Sequence, residues 1–170
     1  MVEWGGAGRN DLISLVYGCI VRNALDAAGR DQAAAAGALE RIGEELAGRL
    51  VDQFLVQAGV SVCPRFADSV ALLRQALRQF LGVEAAAEPE GEDCFVLTVP
   101  ANPLEQGLAL PPELTGFPYS AALAGAVRGA FAAVGLNVRP TLLSAAGETP
   151  LRLRVELRGA IHRQLRGYDT

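Results

Sequence analysis

The sequence contains no lysine, and all 15 of its basic residues are arginine. A lysine Schiff base and the lysine-containing P-loop of nucleotide-binding proteins are therefore excluded. The formal net charge is −4, whereas proteins that bind nucleic acid usually carry a basic patch. We therefore expect neither lysine-dependent chemistry nor a nucleic-acid partner.

Cysteine and histidine are also scarce. The three cysteines, Cys19, Cys63 and Cys94, are odd in number and far apart, which is not the spacing of a zinc site or a disulfide framework. The single histidine, His162, lies among arginines near the C-terminus, where we do not expect it to pair with a nucleophile. These absences favour a reducing cytosol and an interaction or scaffold protein over an enzyme. Three pairs of carboxylates are interpreted as solvating charges: Glu44/Glu45, Glu88/Glu90 and Glu92/Asp93.

Long apolar runs are absent as well. No run approaches the roughly 20 residues that cross a bilayer, and residues 1–6 lack the basic-then-apolar pattern of a targeting segment. Hydrophobic residues still make up 51% of the 170 residues, enough for one sizeable core. We expect a cytoplasmic protein with a single domain over residues 10–158. A glycine-rich, disordered N-terminus (1–9) would precede the domain and a polar tail (159–170) would follow it.

Four segments have the apolar periodicity of helices. The first, from about Asn10, is apolar on several sides, so we expect most of its surface to be buried. The second and third span about 31–57 and 66–81. The fourth, about 118–134, carries a small residue at every fourth position, which favours close packing. The defining residues are Leu12, Val16 and Cys19 together with Ile13, Tyr17, Ile20 and Ala24 in the first; Leu39, Ile42, Leu46, Leu50 and Phe54 in the second; Val70, Leu73, Leu77 and Phe80 in the third; and Ala121, Gly125, Gly129 and Ala133 in the fourth.

The second half of the chain also contains strand patterns. Apolar and charged residues alternate strictly over 151–158, which predicts a strand with one face in solvent. Residues 136–143 are typical of an edge strand, because Pro140 cannot donate a ladder hydrogen bond. We further expect a strand at 95–99, a short strand at 108–110 and a loop at 84–93. This order of elements predicts an α+β domain whose antiparallel sheet is covered by helices.

Short motifs from about Asp11 to Arg158 resemble the subunit-three family of the trafficking protein particle (TRAPP) complex. Each motif is weak alone, but their order and separations along the chain are specific. The segment Asn102-Pro103-Leu104 and the context of Cys63 are more similar to subunit three than to the sister subunits five and six. The remaining motifs are LVYG at 15–18, LERIG at 39–43, GRLVDQFL at 48–55, LP at 110–111, YS at 119–120, LAGAVRGA at 123–130 and RLR at 152–154.

The resemblance implies the TRAPP small-subunit fold, with helices on one side of a twisted antiparallel sheet and dimers formed through the helical face. It implies a core subunit of a vesicle-tethering complex in endoplasmic-reticulum-to-Golgi transport, peripheral at cis-Golgi membranes. The assembled complex would exchange nucleotide on a Rab-type GTPase, whereas the single chain would not be an enzyme. The implied partners are other TRAPP small subunits, in a heterodimer with a subunit-six-type chain or in a homodimer.

The C-terminal residues depart from this family. Related chains tend to end in acidic, extended tails, some of which contact the GTPase. Residues 159–170 instead hold His162, Arg163 and Arg166 against a single acid, Asp169. A contact between this tail and the GTPase is therefore not implied.

The resemblance also implies a fatty acyl chain, palmitate or a similar one, on Cys63, threaded into an internal apolar channel. Burying sixteen carbons at about 0.8 kcal/mol per methylene gives roughly 10 kcal/mol as an upper bound. Such a chain would be a component of the core rather than a membrane anchor. The residues alone favour an ordinary small buried cysteine at this position. Cys19 and Cys94 are interpreted as structural, and we expect no metal or other cofactor.

Two other functions stay open. A sensor domain of the same fold would bind a lipid or small molecule reversibly in the channel. An enzyme acting on an acyl thioester would use Cys63 as its nucleophile, although the sequence offers no base close to it.

Overall fold

A computed structural model describes residues 6–60 and 65–161, with side chains from residue 11 onward. In these ranges the chain forms four helices, four strands and a short 3-10 turn (Pro112–Leu114), and this content confirms the predicted α+β class. In chain order the elements are α1 (Gly6–Ala27), α2 (Gln32–Gln57), α3 (Phe66–Leu81), β1 (Ala86–Pro89), β2 (Cys94–Val99), α4 (Ala121–Ala133), β3 (Leu136–Leu142) and β4 (Leu151–Ala160).

The sheet is antiparallel throughout, in the order β1-β2-β4-β3. Strand β3 lies at an edge, as Pro140 predicts, and Pro140 stands opposite Val155 of β4. In β4, Leu153 and Val155 are buried whereas Arg152 and Arg154 are exposed. The alternating sequence pattern therefore correctly predicts that one face of β4 is buried and the other is exposed to solvent.

Two apolar clusters form the core. In the first, Phe66 of α3 contacts Phe95 of β2 and Phe131 of α4, with ring centroids 5.5 and 5.7 Å apart. This cluster joins α3 and α4 to the covered face of the sheet. The second cluster, around Leu39 and Phe117, joins α1, the first half of α2 and the connection that precedes α4.

Helices α2 and α4 touch backbone to backbone. A Cβ atom added to Gly125 or Gly129 of α4 would overlap the backbone of Glu40 or Glu44 in α2, and one added to Gly43 would overlap Ala122. The small-residue stripe of α4 is therefore a close-packing surface, as its spacing indicates.

An arginine completes the contact between these two helices. Arg128 of α4 places Nη1 2.8 Å from Glu40 Oε2 and Nη2 2.9 Å from Glu44 Oε2. The hydrogen bond to Glu40 raises the pKa of Arg128, although partial burial opposes the shift. Glu44 is thus an ion-pair partner, and its interpretation as a simple solvating charge is wrong.

Several boundaries differ from the sequence-based expectations. Helix α1 begins at Gly6 rather than near Asn10, so the segment 1–9 expected to be disordered overlaps its first turn; residues 1–5 lie outside the described part. Strand β1 forms within the expected loop 84–93, because pairing with β2 overrides the weak strand propensity of alanine and proline. No strand forms at 108–110, where Leu108 and Leu110 instead pack on the second cluster.

Helix α1 is less buried than its pattern predicts. Tyr17, Val21 and Leu25 are buried, but Leu15 and Val16 on the opposite side are 67% and 50% exposed. The expectation of burial on most sides is therefore wrong for the part of the single chain that the structure describes, in which one face of α1 meets another element and the opposite face is exposed. Within the described ranges, no helix combines the length and apolarity needed to cross a membrane.

The close approach of α2 and α4 predicts the effect of adding a methyl group. Gly125→Ala should lower the free energy of unfolding by about 1–3 kcal/mol, because the new Cβ overlaps fixed backbone of Glu40. Gly48→Ala in α2 is the matched control, since nothing lies within 4 Å of its added Cβ, and it should stabilise by up to about 1 kcal/mol. Urea denaturation measures both; equal effects would contradict the proposed role of the contact.

Candidate functional site

An apolar groove of about 240 Å³ lies between α2, α3 and α4. The α2 wall includes Ile42, Leu46, Leu50 and Phe54, four of the five residues that the sequence assigns to a core stripe. Ile42 and Leu46 are 44% and 56% exposed. The prediction of a core position is therefore wrong for these two residues, because the groove separates this part of α2 from α3.

The floor of the groove is shared with the first core cluster. Leu73 and Leu77 of α3 and Leu123, Val127 and Phe131 of α4 line the groove and also pack on the sheet. The groove is therefore a space above the core rather than a separate surface pocket.

Among the described residues that line the groove, Tyr17 and Ser69 are the two with a polar side chain, and both donate their hydroxyl protons within the protein. Tyr17 Oη donates to the carbonyl of Tyr119, and Ser69 Oγ donates to the carbonyl of Arg65 at 2.9 Å. Burial raises the pKa of Tyr17, which keeps the phenol neutral. The described part of the lining thus offers a ligand hydrocarbon contacts and no free side-chain hydrogen-bond donor, an environment that suits an aliphatic chain.

The two ends of the groove are formed by different elements. Helix α3 begins beside the C-terminal part of α4, because Phe66 packs on Phe131. The α4 wall runs from Val134 back to Ala122, about 18 Å at 1.5 Å per residue. Tyr17 and Leu104 also line the groove. Both belong to the Ala122 end, because Tyr17 Oη donates to the Tyr119 carbonyl and Leu104 is linked through Asn102 to Ser120.

The cysteines and the histidine are not brought together among the described residues. Cys63 lies outside the described residues, within the connection between α2 and α3, and so does His162. Cys19 is exposed on α1, and Cys94 is half-buried on β2 with Sγ 3.7 Å from Glu90 Oε2. Within 6–60 and 65–161, no three His, Cys, Asp or Glu side chains are grouped to hold a metal ion.

Sequence reasoning did not connect Tyr17 or Leu104 with the groove. Tyr17 is one of the apolar positions that define the first helix, and Leu104 appears only within the Asn102-Pro103-Leu104 motif. That motif is the one signal in the sequence that marks Leu104 at all. Its position at the end of a groove depends on tertiary structure.

Known proteins provide close matches to this chain. No family model matches it. The chain is 33% identical over 154 residues to the trafficking protein particle complex subunit 3 homolog of Caenorhabditis briggsae, covering 86% of this chain and 83% of that protein. It is 32% identical to the Caenorhabditis elegans homolog, also over 154 residues that cover 86% of this chain and 83% of that protein.

Solved structures agree with these relatives. A crystal structure of a trafficking protein particle complex subunit 3 from Naegleria fowleri, covalently bound to palmitic acid, superimposes with a TM-score of 0.81 at 26% identity, covering 90% of this chain and 97% of that chain. The phenol-responsive sensory domain of the transcription activator PoxR, with phenol, gives a TM-score of 0.60 at 12% identity over 85% of this chain and 74% of that chain. The second likeness concerns the fold alone.

The geometry of the groove predicts how a bulky side chain would affect it. Ala76→Phe on α3 should fill part of the groove and weaken binding of an uncharged aliphatic fluorescent probe at least about tenfold, a change of about 1.4 kcal/mol. Ala71→Phe on the exposed side of the same helix should leave probe binding unchanged. Fluorescence titration compares the two; similar affinities would show that the probe binds elsewhere.

Proposed function

The chain belongs to the subunit 3 family of the trafficking protein particle (TRAPP) complex, and on this premise we propose that it is a core structural subunit of a vesicle-tethering complex in endoplasmic-reticulum-to-Golgi transport. Identity at this level across 154 residues is the observation that carries the proposal. The assembled complex would support nucleotide exchange on a Rab-type GTPase. Alone, the chain would have no enzymatic activity, and it would act in the cytoplasm, peripherally at cis-Golgi and ER–Golgi membranes. The single domain over 10–158, with a polar tail after it, stays a prediction.

We further propose that the groove holds a fatty acyl chain attached to Cys63. The described part of the lining supports this because its two polar side chains, Tyr17 and Ser69, donate their hydroxyl protons within the protein. Chain connectivity supports it as well. Cys63 is three residues before Phe66, and consecutive Cα atoms are 3.8 Å apart, so their Cα atoms are at most about 11 Å apart. Phe66 packs on Phe131, which lines the groove.

The acyl chain would come from an acyl-coenzyme A thioester. The Cys63 sulfur would attack the thioester carbonyl carbon and form a new carbon–sulfur bond, while the bond from that carbon to the sulfur of coenzyme A breaks. Coenzyme A would leave as its thiol, taking up the proton that Cys63 loses, and nothing is oxidised or reduced. The palmitic acid bound covalently to the Naegleria fowleri relative supports this chemistry.

The exposed face of α1 supports a partner subunit on the helical side of the domain. Leu12, Leu15 and Val16 are 61%, 67% and 50% exposed and lie on one face of the helix. Contiguous exposed apolar side chains of this kind mark protein interfaces. We propose that this face meets another TRAPP small subunit, either a subunit-six-type partner or a second copy of this chain.

Intact-protein mass spectrometry tests the acyl proposal. The purified chain should show a mass increase of fatty-acyl size that hydroxylamine removes and that Cys63→Ser abolishes. Cys19→Ser and Cys94→Ser are matched controls and should keep the added mass. The Cys63→Ser protein should also melt at a lower temperature, because it loses the buried hydrocarbon.

An unmodified mass together with an unchanged melting temperature would contradict the acyl proposal. A different result would favour a reversible sensor of lipids or small molecules. In that case desalting under native conditions would remove the added mass, and the Cys63→Ser protein would carry the same removable mass as wild type.

The α1 interface is tested by a charge at its centre. Leu15→Asp should weaken association with a subunit-six-type partner, or self-association, at least about tenfold, because it places a carboxylate in a desolvated apolar contact. Asn137→Asp adds the same charge at an exposed position of strand β3 rather than α1 and should have little effect. Sedimentation velocity measures both; wild-type association of Leu15→Asp would place the interface elsewhere.

A further inference from the structure

The long connection before α4 is fixed by a network of hydrogen bonds, of which the bond between Asn102 and Ser120 is buried. Asn102 Nδ2 donates to Ser120 Oγ at 2.7 Å, and Ser120 Oγ donates to Glu105 Oε1. The amide of Gly147 donates to Glu105 Oε2 at 2.9 Å, and the amide of Leu104 donates to Asn102 Oδ1 at 3.1 Å. Asn102 and Ser120 are buried. Leu104 is therefore held between two residues of the network.

Leu104 is held by packing as well as by its backbone. It packs against both apolar clusters and lines the Ala122 end of the groove. Tyr17 lines the same end, with its ring edge-on to Tyr119 at a centroid distance of 5.3 Å and its hydroxyl bound to the Tyr119 carbonyl. Both side chains are thus fixed from outside the groove, by contacts that a ligand would not replace.

The direction of the groove determines what this end would contact. Phe66, three residues after Cys63, packs on Phe131, and the α4 wall continues from there to Ala122. A chain attached at Cys63 would enter near Phe131 and point its methyl end at Leu104 and Tyr17. We propose that Leu104 and Tyr17 form an end wall that sets the length of the aliphatic chain the groove accepts. This inference rests on the proposed function, in which the groove holds an acyl chain from Cys63.

Length selection follows from the energetics of burial. Each methylene that enters an apolar site raises affinity about fourfold. Once the methyl end reaches the wall, a further methylene must stay in water or force the wall to move, so affinity stops rising. The wall therefore predicts a plateau at one chain length.

The test uses the Cys63→Ser protein and free fatty acids of increasing length, kept below their micelle concentrations. Affinity from calorimetric titration should rise with length and then level off. Leu104→Ala should move the plateau to chains about two methylenes longer, because it removes part of the wall. Leu104→Phe should move it to shorter chains. Leu110→Ala and Leu110→Phe are matched controls, since Leu110 lies on the same connection and packs on the second cluster.

A second readout uses the intact Cys63. Acyl-coenzyme A donors of graded length are offered in competition, and the length distribution of the attached chain is read by mass spectrometry. The Leu104 variants should shift this distribution in the same directions as the plateau, and the Leu110 variants should not. Melting temperatures identify any variant that fails to fold. If one of the two Leu104 variants does not fold, the test relies on the other one.

The outcomes separate this inference from the acyl proposal. Acylation of Cys63 with one length profile in wild type and both Leu104 variants would overturn the end wall and leave the acyl proposal standing. A plateau that moves with Leu104 in a chain that is never acylated would support the wall and overturn covalent attachment. Absence of both acylation and length-dependent binding would overturn both.

Discussion

Backbone contact between α2 and α4 is the constraint on which the other features depend. Glycine at 43, 125 and 129 removes the side chains that would separate the two helices, and Arg128 links them through Glu40 and Glu44. Helix α2 packs on α4 in this way and meets α3 near the C-terminal ends of both α2 and α3, where the rings of Phe54 and Phe80 have centroids 6.2 Å apart. The space left between that meeting point and the α2–α4 contact is the groove.

The fold could be predicted from the sequence where local patterns decide structure. The bounds of α2 and α3 and the close-packing stripe of α4 follow from periodicity, and the edge position of β3 follows from the missing donor of Pro140. Periodicity does not show what covers a face, and for this reason Ile42, Leu46 and the outer side of α1 were assigned too much burial. Strand β1 was missed because pairing with β2, rather than its own residues, makes it a strand.

The candidate site depends more strongly on tertiary structure. The residues alone favour an ordinary role for Cys63, and only the family resemblance singles it out. The end of the groove brings together residues that are distant in sequence, since Glu105 binds Gly147 and Ser120 while Tyr17 binds Tyr119. No spacing rule connects such positions. The Asn102-Pro103-Leu104 motif marks the segment without showing what its leucine contacts.

The floor shared by groove and core links occupancy to the lifetime of the folded chain. Leu73, Leu77 and Val127 are supported from below by the sheet cluster and face the groove above. Any occupant that binds only the folded form adds to the free energy of unfolding by mass action. A reversible occupant leaves on dilution, and its contribution to the free energy of unfolding is then lost. A covalently attached chain stays on the unfolded form as well, so it would stabilise through the hydrocarbon it buries on folding, whatever the concentration of free lipid. For a covalent occupant, the stability of the folded chain would therefore depend on whether the chain had been attached, and not on how much free lipid is present afterwards.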